Sequence, residues 1–167
     1  MSVSTETANF EEVRKAVDLL NSRAGATDQF MKGITLLLNE KMLKYNWVGF
    51  YMIDAESSPP MLVLGYYQGA PSPHTRIPLH EGICGAAASS GNTVVVDDVS
   101  RDSRYLSCSI ETKSEIVAPV FRHGAVAGEL DIYSHLPAAF TQEDRELVEY
   151  CAQLVGKRLE GENVQPS

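Results

Sequence analysis

The N-terminal part of the chain repeats its apolar side chains every three or four residues, which predicts two consecutive helices. The first is predicted to begin with a capping box of Asn9 and Glu12 and to end near Gly25. The second is predicted to begin at about Asp28. Each presents one apolar stripe, formed by Val13, Ala16, Val17 and Leu20 in the first helix and by Phe30, Ile34, Leu37, Leu38 and Met42 in the second.

Beyond the second helix the pattern changes to short β-rich runs separated by turns rich in Gly, Pro and Asp. The first of these runs is nearly apolar throughout, which is typical of a central strand. The predicted strands form two hairpins and two short segments, at 47–53 with 61–67, at 114–121 with 126–133, and at 76–78 and 93–96.

A final amphipathic helix is predicted to begin at Thr141, where Asp144 completes a variant of the capping box, and Cys151 lies on its apolar face. The order of helices and hairpins shows no regular βαβ alternation. The sequence therefore predicts an α+β fold with an antiparallel sheet. The terminal helices would cover one face of that sheet, and the connections within 68–113 would cover the other.

Length and charge narrow the class of protein. The 167 residues predict one domain over 1–167, with a core from about 9 to 160. A formal charge of −8 at pH 7, with Lys and Arg scattered singly, argues against nucleic acid or an anionic membrane as a partner. The first residues lack the basic and apolar regions of a signal peptide, and no apolar run approaches the ~18 residues of a membrane span. Three cysteines do not suggest a disulfide framework, so we expect a cytoplasmic protein with reduced thiols.

Two of the three cysteines fall in the polar, glycine-marked stretch between the two hairpins. Cys84 precedes a run of small residues that predicts a short helix, and the positive end of a helix dipole favours a thiolate. Cys108 lies in a loop flanked by Arg101, Arg104 and Lys113. Both surroundings predict a lowered thiol pKa. Two such thiols facing each other across a cleft would form a redox pair.

Six short motifs from residue 46 to residue 132 carry a resemblance to a known family. They are Asn46-Trp47-Val48-Gly49-Phe50-Tyr51, Leu62-Val63-Leu64-Gly65, Arg76-Ile77-Pro78, Gly82-Ile83-Cys84-Gly85, Ser114-Glu115-Ile116-Val117 and Leu130-Asp131-Ile132. In this order and spacing they resemble the free methionine-(R)-sulfoxide reductases, which are single GAF domains. The resemblance covers nearly the whole chain and implies a GAF-like fold, with a ligand cleft under the loops on the face opposite the terminal helices.

The resemblance implies roles for the cysteines. Cys108 occupies the position of the nucleophile that attacks the sulfoxide sulfur, and Cys84 that of the cysteine in the middle of the family's set. His74 stands where the family has its first cysteine. A second thiol would convert the sulfenic acid left on the nucleophile to a disulfide.

The resemblance also implies a substrate site. Glu115 and Asp131 correspond to the carboxylates that bind the substrate, and Glu115 is also our candidate for the proton donor. Tyr133 replaces a second aspartate of that set. Trp47 and Tyr51 would form the wall around the substrate methyl group.

The implied activity is the thiol-dependent reduction of free L-methionine-(R)-sulfoxide, with a thioredoxin-like dithiol as reductant and no cofactor. A homodimer formed through the terminal helices is expected. A sensory GAF domain that binds a small ligand is the main alternative, because it accounts for His74 and Tyr133 without further assumptions. A structural GAF dimer without a ligand would leave the polar residues of the cleft unexplained.

Several of these residues also have plainer interpretations. Trp47 and Tyr51 share one face of a strand and are typical of a core, and Cys84 is equally compatible with simple burial. Asp131 interrupts a half-buried strand and needs a partner, either a ligand ammonium or a loop backbone. The types of residue at a zinc site are also present in His74, His80, Cys84 and Cys108, but their spacing matches no compact zinc signature, and no metal is expected.

Overall fold

The computed structural model describes residues 2–106 and 110–162, with side chains from Phe10 onwards. In chain order the elements are α1 (Ser2–Arg23), α2 (Thr27–Lys41), β1 (Trp47–Asp54), β2 (Met61–Gln68), β3 (Arg76–Pro78), α3 (Gly82–Ser90), β4 (Val94–Val96), a 3₁₀ turn (Val99–Arg101), β5 (Ser114–Arg122), β6 (Ala125–Ser134) and α4 (Gln142–Gly161). The sequence of helices and hairpins is the one predicted, and the fold is α+β.

The strands form one six-stranded sheet in the order β3-β2-β1-β6-β5-β4, and every neighbouring pair is antiparallel. Both predicted hairpins are confirmed, as β1–β2 and β5–β6. The second turns through His123 and Gly124, which both have positive φ. The strand predicted to be central is indeed internal, because β1 pairs with β2 on one side and β6 on the other.

Alternation along the strands separates two cores, one on each face of the sheet. On the first face, residues such as Phe50, Ile116 and Leu130 pack against α2 and α4, and α1 packs on the outside of these two helices. On the second face, residues such as Tyr51 and Val117 pack against α3 and the loops of 68–113. The prediction that the terminal helices cover one face of the sheet and the connections within 68–113 cover the other is confirmed.

Most observed element ends lie within one or two residues of the predicted ones, and two elements differ in a way that has a physical reason. The first helix begins at Ser2 and not at Asn9, because residues 2–8 contain no Gly or Pro that would stop it. The strand predicted at 93–96 begins at Val94 and is only partly buried, because β4 is an edge strand paired on one side. The capping box of the last helix is confirmed: Thr141 precedes α4, and its side chain accepts from the backbone N–H of Asp144.

Candidate active site

Helix α3 places Cys84 against the second face of the sheet. The helix begins at Gly82, whose φ of +72° is a left-handed value that favours glycine. A side chain at Gly82 would also come within 2.9 Å of Leu106, so this position sets how closely the loop can cover the start of the helix. Cys84 lies in the first turn, 4% exposed, and faces β5 and β6.

The Cys84 thiol meets two of the carboxyl groups that the sequence singled out. Its Sγ donates a hydrogen bond of 3.2 Å to Oδ2 of Asp131. Oxygen and sulfur atoms of Cys84, Glu115 and Asp131 all lie within 4.8 Å of one another. Glu115 is 2% exposed and Asp131 is fully buried. Within the described residues the partner of Asp131 is therefore a thiol and not a loop backbone, and binding of a ligand ammonium stays a prediction.

Glu129 is a third acidic side chain in this cluster, and the sequence analysis did not identify it. It precedes Asp131 by two residues on β6, so the two side chains share a face, and it lies opposite Tyr51 on β1. It is fully buried, and neither of its carboxyl oxygens has a hydrogen-bond partner among the described residues. The same is true of Oδ1 of Asp131. The sequence signal that pointed towards Glu129 was its spacing of two from Asp131, which places both side chains on one face of the strand, although spacing alone does not show that a glutamate is buried.

This environment reverses the prediction of an easily ionised Cys84 thiol. Burial raises the pKa of the thiol well above its ordinary value, and the charges of Asp131, Glu129 and Glu115 raise it further. Cys84 does lie in the first turn of α3, but the helix dipole favours its thiolate by only about 0.3–1 kcal/mol, which is less than one pKa unit. Full burial shifts a pKa by up to about 3–5 units in the opposite direction. Cys84 is therefore a protonated thiol at neutral pH.

The neighbouring carboxyl groups respond in the same direction. Burial raises the pKa of Glu129 well above its usual range, and the adjacent Asp131 adds to the rise. Burial also raises the pKa of Asp131, while contacts with Glu115, Cys84 and Tyr133 oppose that shift.

Aromatic rings form a layer beside the carboxyl groups. The Trp47 ring is stacked between Tyr67 and Tyr133, with ring-centroid distances of 5.7 and 5.0 Å, and lies 6.3 Å from Tyr51. Gly49 makes this arrangement possible, because a Cβ there would come within 2.4 Å of the Trp47 ring. The predicted shared face of Trp47 and Tyr51 is confirmed, and both are part of the second core.

The layer is anchored to the loop that contains His74. The Trp47 Nε1–H donates to the carbonyl of Ala70 at 3.0 Å, and the Tyr51 hydroxyl donates to the carbonyl of His74 at 2.7 Å. The backbone N–H of His74 donates to Oγ of Ser72. His74 thus contributes its backbone to the wall of the site, and its side chain is partly exposed.

Tyr133 enters the site and lies between two cavities. The inner cavity has a volume of about 10 Å³ and touches Cys84, Glu115 and His74. The outer one has a volume of about 100 Å³ and is lined by Trp47, Glu111 and other residues of the 70–72 and 111–112 segments. Tyr133 lines both. In this conformation side chains of the second core fill much of this face, and these two cavities lie within the described part of it.

Other predicted site residues are only partly accounted for. Cys108 lies outside the described residues, as does its predicted contact with Cys84. Of the four residues considered for zinc, His80 is exposed and its Nδ1 is paired with the hydroxyl of Ser89. Cys151 is fully buried in the first core, as predicted.

Among the helices of residues 2–106 and 110–162, none combines the length and hydropathy needed to cross a bilayer.

Comparisons with known proteins agree with this picture. A family model described as "GAF domain" matches residues 27–159. The free methionine-R-sulfoxide reductase of Saccharomyces cerevisiae is 34% identical over 160 residues, which cover 89% of this chain and 87% of the yeast protein.

Solved structures have the same fold. The free methionine-R-sulfoxide reductase of Neisseria meningitidis, solved in complex with its substrate, superposes with a TM-score of 0.84 at 34% identity, over 90% of this chain and 88% of the other. A putative GAF sensor protein from Burkholderia vietnamiensis superposes with a TM-score of 0.79 at 29% identity, over 91% and 94% of the two chains.

Proposed function

The chain belongs to the free methionine-R-sulfoxide reductase family of GAF domains, and on that premise we propose that it reduces free L-methionine-(R)-sulfoxide to methionine by thiol chemistry. The observation that carries the proposal is the buried cluster in which the Cys84 thiol donates to Asp131, with Glu115 within 4.8 Å. These are three of the residues that the resemblance assigns to the reaction, brought together from three separate elements of the fold.

The proposed reaction begins at Cys108. Its thiolate attacks the sulfoxide sulfur, the sulfoxide oxygen becomes protonated and the S–O bond shifts to Cys108, which is left as a sulfenic acid while methionine departs. Glu115 is proposed to supply that proton or to bind the substrate ammonium, together with Asp131. Trp47 and Tyr51 are proposed to contact the methyl group of the substrate.

Cys84 is proposed to resolve the sulfenic acid. Its sulfur attacks the Cys108 sulfur, a disulfide forms, and the hydroxyl leaves as water. Because burial keeps Cys84 protonated, the thiol needs a base at the moment of attack. The 3.2 Å hydrogen bond to Oδ2 of Asp131 supplies an acceptor for that proton. An external dithiol of the thioredoxin class is proposed to reduce the disulfide.

Substrate access is proposed to require movement of Tyr133. An inner cavity of about 10 Å³ holds at most one water-sized group, so methionine sulfoxide does not fit beside Cys84 in the present conformation. The outer cavity of about 100 Å³ offers the approach, and rotation of the Tyr133 ring away from Trp47 would join the two spaces.

The residues at positions 74 and 133 favour a second candidate function. A GAF domain that binds a different small ligand, without reduction, would need neither the family's first cysteine, replaced by His74, nor its second aspartate, replaced by Tyr133. The similarity to a GAF sensor protein of Burkholderia vietnamiensis is compatible with this alternative. Turnover separates the two functions, because a sensor domain has none.

Three further features are proposed with the activity: a cytoplasmic location, a single-domain organisation over the whole chain, and a homodimer formed through the terminal helices. They follow from the sequence arguments above and from the exposed outer surfaces of α1 and α4. Size-exclusion chromatography with light scattering measures the oligomeric state directly.

The test of the proposed function is a turnover assay. Purified protein is incubated separately with the R and S epimers of free methionine sulfoxide and with dithiothreitol, and free methionine is measured. We expect methionine from the R epimer only. Cys108→Ser should remove turnover, because a hydroxyl is a far poorer nucleophile than a thiolate near neutral pH.

Cys151→Ser is the matched control, since this thiol lies in the first core, and it should retain turnover. Near wild-type turnover in Cys108→Ser would exclude the assigned nucleophile. No methionine from either epimer would favour the ligand-binding alternative.

A further inference from the structure

The cluster around Cys84 contains a fourth acidic group, Glu129, to which the proposed reduction assigns no role, and each of the four side chains is at most 4% exposed. We propose that Cys84, Glu115, Glu129 and Asp131 form a binding site for a divalent transition-metal cation of the zinc type. This inference concerns binding only and does not require the activity proposed above.

The positions of the ligand atoms suit one small cation. Atoms of Cys84, Glu115 and Asp131 lie within 4.8 Å of one another, and the Cys84 Sγ to Asp131 Oδ2 distance is 3.2 Å. A tetrahedral zinc ion with bonds of about 2.3 Å to sulfur and 2.0–2.2 Å to oxygen separates its ligand atoms by roughly 3.4–3.6 Å. Small side-chain adjustments therefore bring three ligands to a common centre.

Glu129 supplies the independent indication of a ligand. It is fully buried, lies close to the Cys84 thiol, and neither of its oxygens has a hydrogen-bond partner among the described residues. Oδ1 of Asp131 is in the same condition. Three buried acceptors without donors cost several kcal/mol unless something positive or a donor occupies the space between them. A cation would satisfy all three at once.

The ligand set selects the class of metal. Mg²⁺ and Ca²⁺ prefer oxygen ligands only, in six or more positions, and a thiolate excludes them. Zn²⁺ accepts sulfur and carboxylate oxygen together in four positions. The adjoining inner cavity of about 10 Å³ is also too small for an ion that keeps a shell of water.

Metal binding would compete with the disulfide chemistry proposed for the reductase. A Cys84 thiolate bound to zinc cannot attack a sulfenic acid on Cys108. If that function holds, the metal acts as an inhibitor. If it does not, the metal site stands as a separate property of the cluster.

The experiment uses Co²⁺ as a spectroscopic substitute for Zn²⁺, with the full chain and no sulfoxide present. In the Cys108→Ser, Cys151→Ser double variant, Cys84 is the sole thiol, because the chain has three cysteines. We expect Co²⁺ to produce a thiolate-to-metal charge-transfer band in the near ultraviolet, and Zn²⁺ to abolish it by displacement.

Glu129→Gln keeps the shape of the side chain and removes its charge, and we expect it to weaken Co²⁺ binding at least 10-fold. Glu56→Gln is the control, because Glu56 is exposed and distant in sequence from the cluster, and it should leave affinity unchanged. Near-ultraviolet circular dichroism confirms that each variant is folded. Absence of the band in the folded double variant, or equal affinity in Glu129→Gln and Glu56→Gln, would overturn the proposal.

Should the double variant fail to fold, calorimetric titration of the wild-type protein with Zn²⁺ provides the second measurement. Binding that Cys84→Ser removes supports the site. Protein that takes up no Zn²⁺, or that binds it equally well in Cys84→Ser, contradicts it. In the latter two cases protons alone neutralise the buried acidic groups.

Discussion

Both faces of the sheet bury acidic side chains, but they treat them in opposite ways. On the helix-covered face, Asp144 is fully buried and its oxygens accept from Lys44 Nζ at 2.7 Å, from the Tyr45 hydroxyl at 2.6 Å, and from the backbone and side chain of Thr141 at 2.8 and 2.7 Å. On the face covered by α3, neither oxygen of the fully buried Glu129 has a hydrogen-bond partner among the described residues.

This difference in hydrogen-bond donors suggests different roles for the two buried acidic side chains. A carboxylate with four donors is complete within the fold, and its contacts join the loop before β1 to the start of α4. A carboxyl group without donors is costly to bury, so it persists where another requirement outweighs its cost. The buried charge on the helix-covered face therefore serves stability, whereas the acidic groups of the α3 face are the ones proposed above to bind a ligand.

The largest effect is expected from removing the satisfied carboxylate. Asp144→Ala removes the carboxylate half of the capping box of α4 and leaves the Tyr45 hydroxyl and Lys44 without their partner. Breaking a buried charged pair costs about 3–5 kcal/mol, and we expect the lower end because Lys44 remains 25% exposed and can reach water. Urea unfolding followed by circular dichroism measures this change in the free energy of unfolding.

Glu143→Ala provides the comparison at the neighbouring position, since Glu143 also lies in the first turn of α4 but is exposed. It should lose less than about 1 kcal/mol, the usual contribution of a charge to the helix dipole. Equal losses in the two variants would show that the hydrogen bonds of Asp144 contribute little, and the contrast between the faces would disappear.

Sequence patterns predicted the helix-covered face well because its structure follows from local rules. Apolar periodicity identified α2 and α4, and the capping box located the start of α4 at Thr141. Alternation separated Leu130 and Ile132 from Asp131 on β6. These signals depend on neighbours within a few residues, and such neighbours are visible in one sequence.

The α3 face was harder to predict because its properties arise between elements distant in the chain. The ionisation of Cys84 depends on carboxyl groups 31 to 47 residues later, at Glu115, Glu129 and Asp131, and no local pattern reveals that they surround the thiol. The helix dipole was the one local signal available, and it predicted the wrong direction. Glu129 was missed for a related reason, since burial of a lone glutamate in a strand cannot be inferred from spacing alone.

An intermediate effect is expected at Tyr133, which divides the α3 face into its two cavities. Tyr133→Asp removes the ring stacked on Trp47 at 5.0 Å and adds a carboxylate next to the approach to the site. A charge-assisted hydrogen bond to the substrate ammonium is worth about 1.5–3 kcal/mol, so we expect methionine sulfoxide to bind roughly 10- to 150-fold more tightly. Isothermal titration calorimetry gives the dissociation constants.

Tyr133→Asn separates the effect of the added carboxylate on binding from the effect of removing the ring, because it opens about the same volume without adding a charge. We expect most of the gain in Tyr133→Asp and little in Tyr133→Asn. A similar gain in both would assign the effect to the space that the ring occupies. If the wild type and both variants bind no sulfoxide at millimolar concentration, the reductase proposal fails and the ligand-binding alternative replaces it.

The last comparison concerns Glu129, and the sign of its effect on stability is opposite to that of Asp144. Burial raises the pKa of Glu129 in the folded protein above the value of about 4.3 that an unfolded chain gives. A raised pKa stabilises the folded state below the unfolded value, and that stabilisation is lost as the pH rises through the folded pKa. Relative to a variant that cannot ionise here, the wild type should therefore lose stability between pH 4 and neutral pH.

Glu129→Gln is that variant, and unfolding in urea with a chelator present excludes any contribution of metal ions. Near pH 4, where Glu129 is protonated in both states, we expect similar free energies of unfolding for the wild type and Glu129→Gln, since the two side chains are then neutral and nearly isosteric. At pH 7.5 the variant should be the more stable, by about 1.4 kcal/mol for each pH unit over which only the unfolded wild-type chain is ionised at Glu129. Glu56→Gln, which changes an exposed side chain, should show no such trend. A variant less stable than the wild type at pH 7.5 would mean that the Glu129 carboxylate has donors in solution, and Glu129 would then belong with Asp144 as a satisfied buried charge.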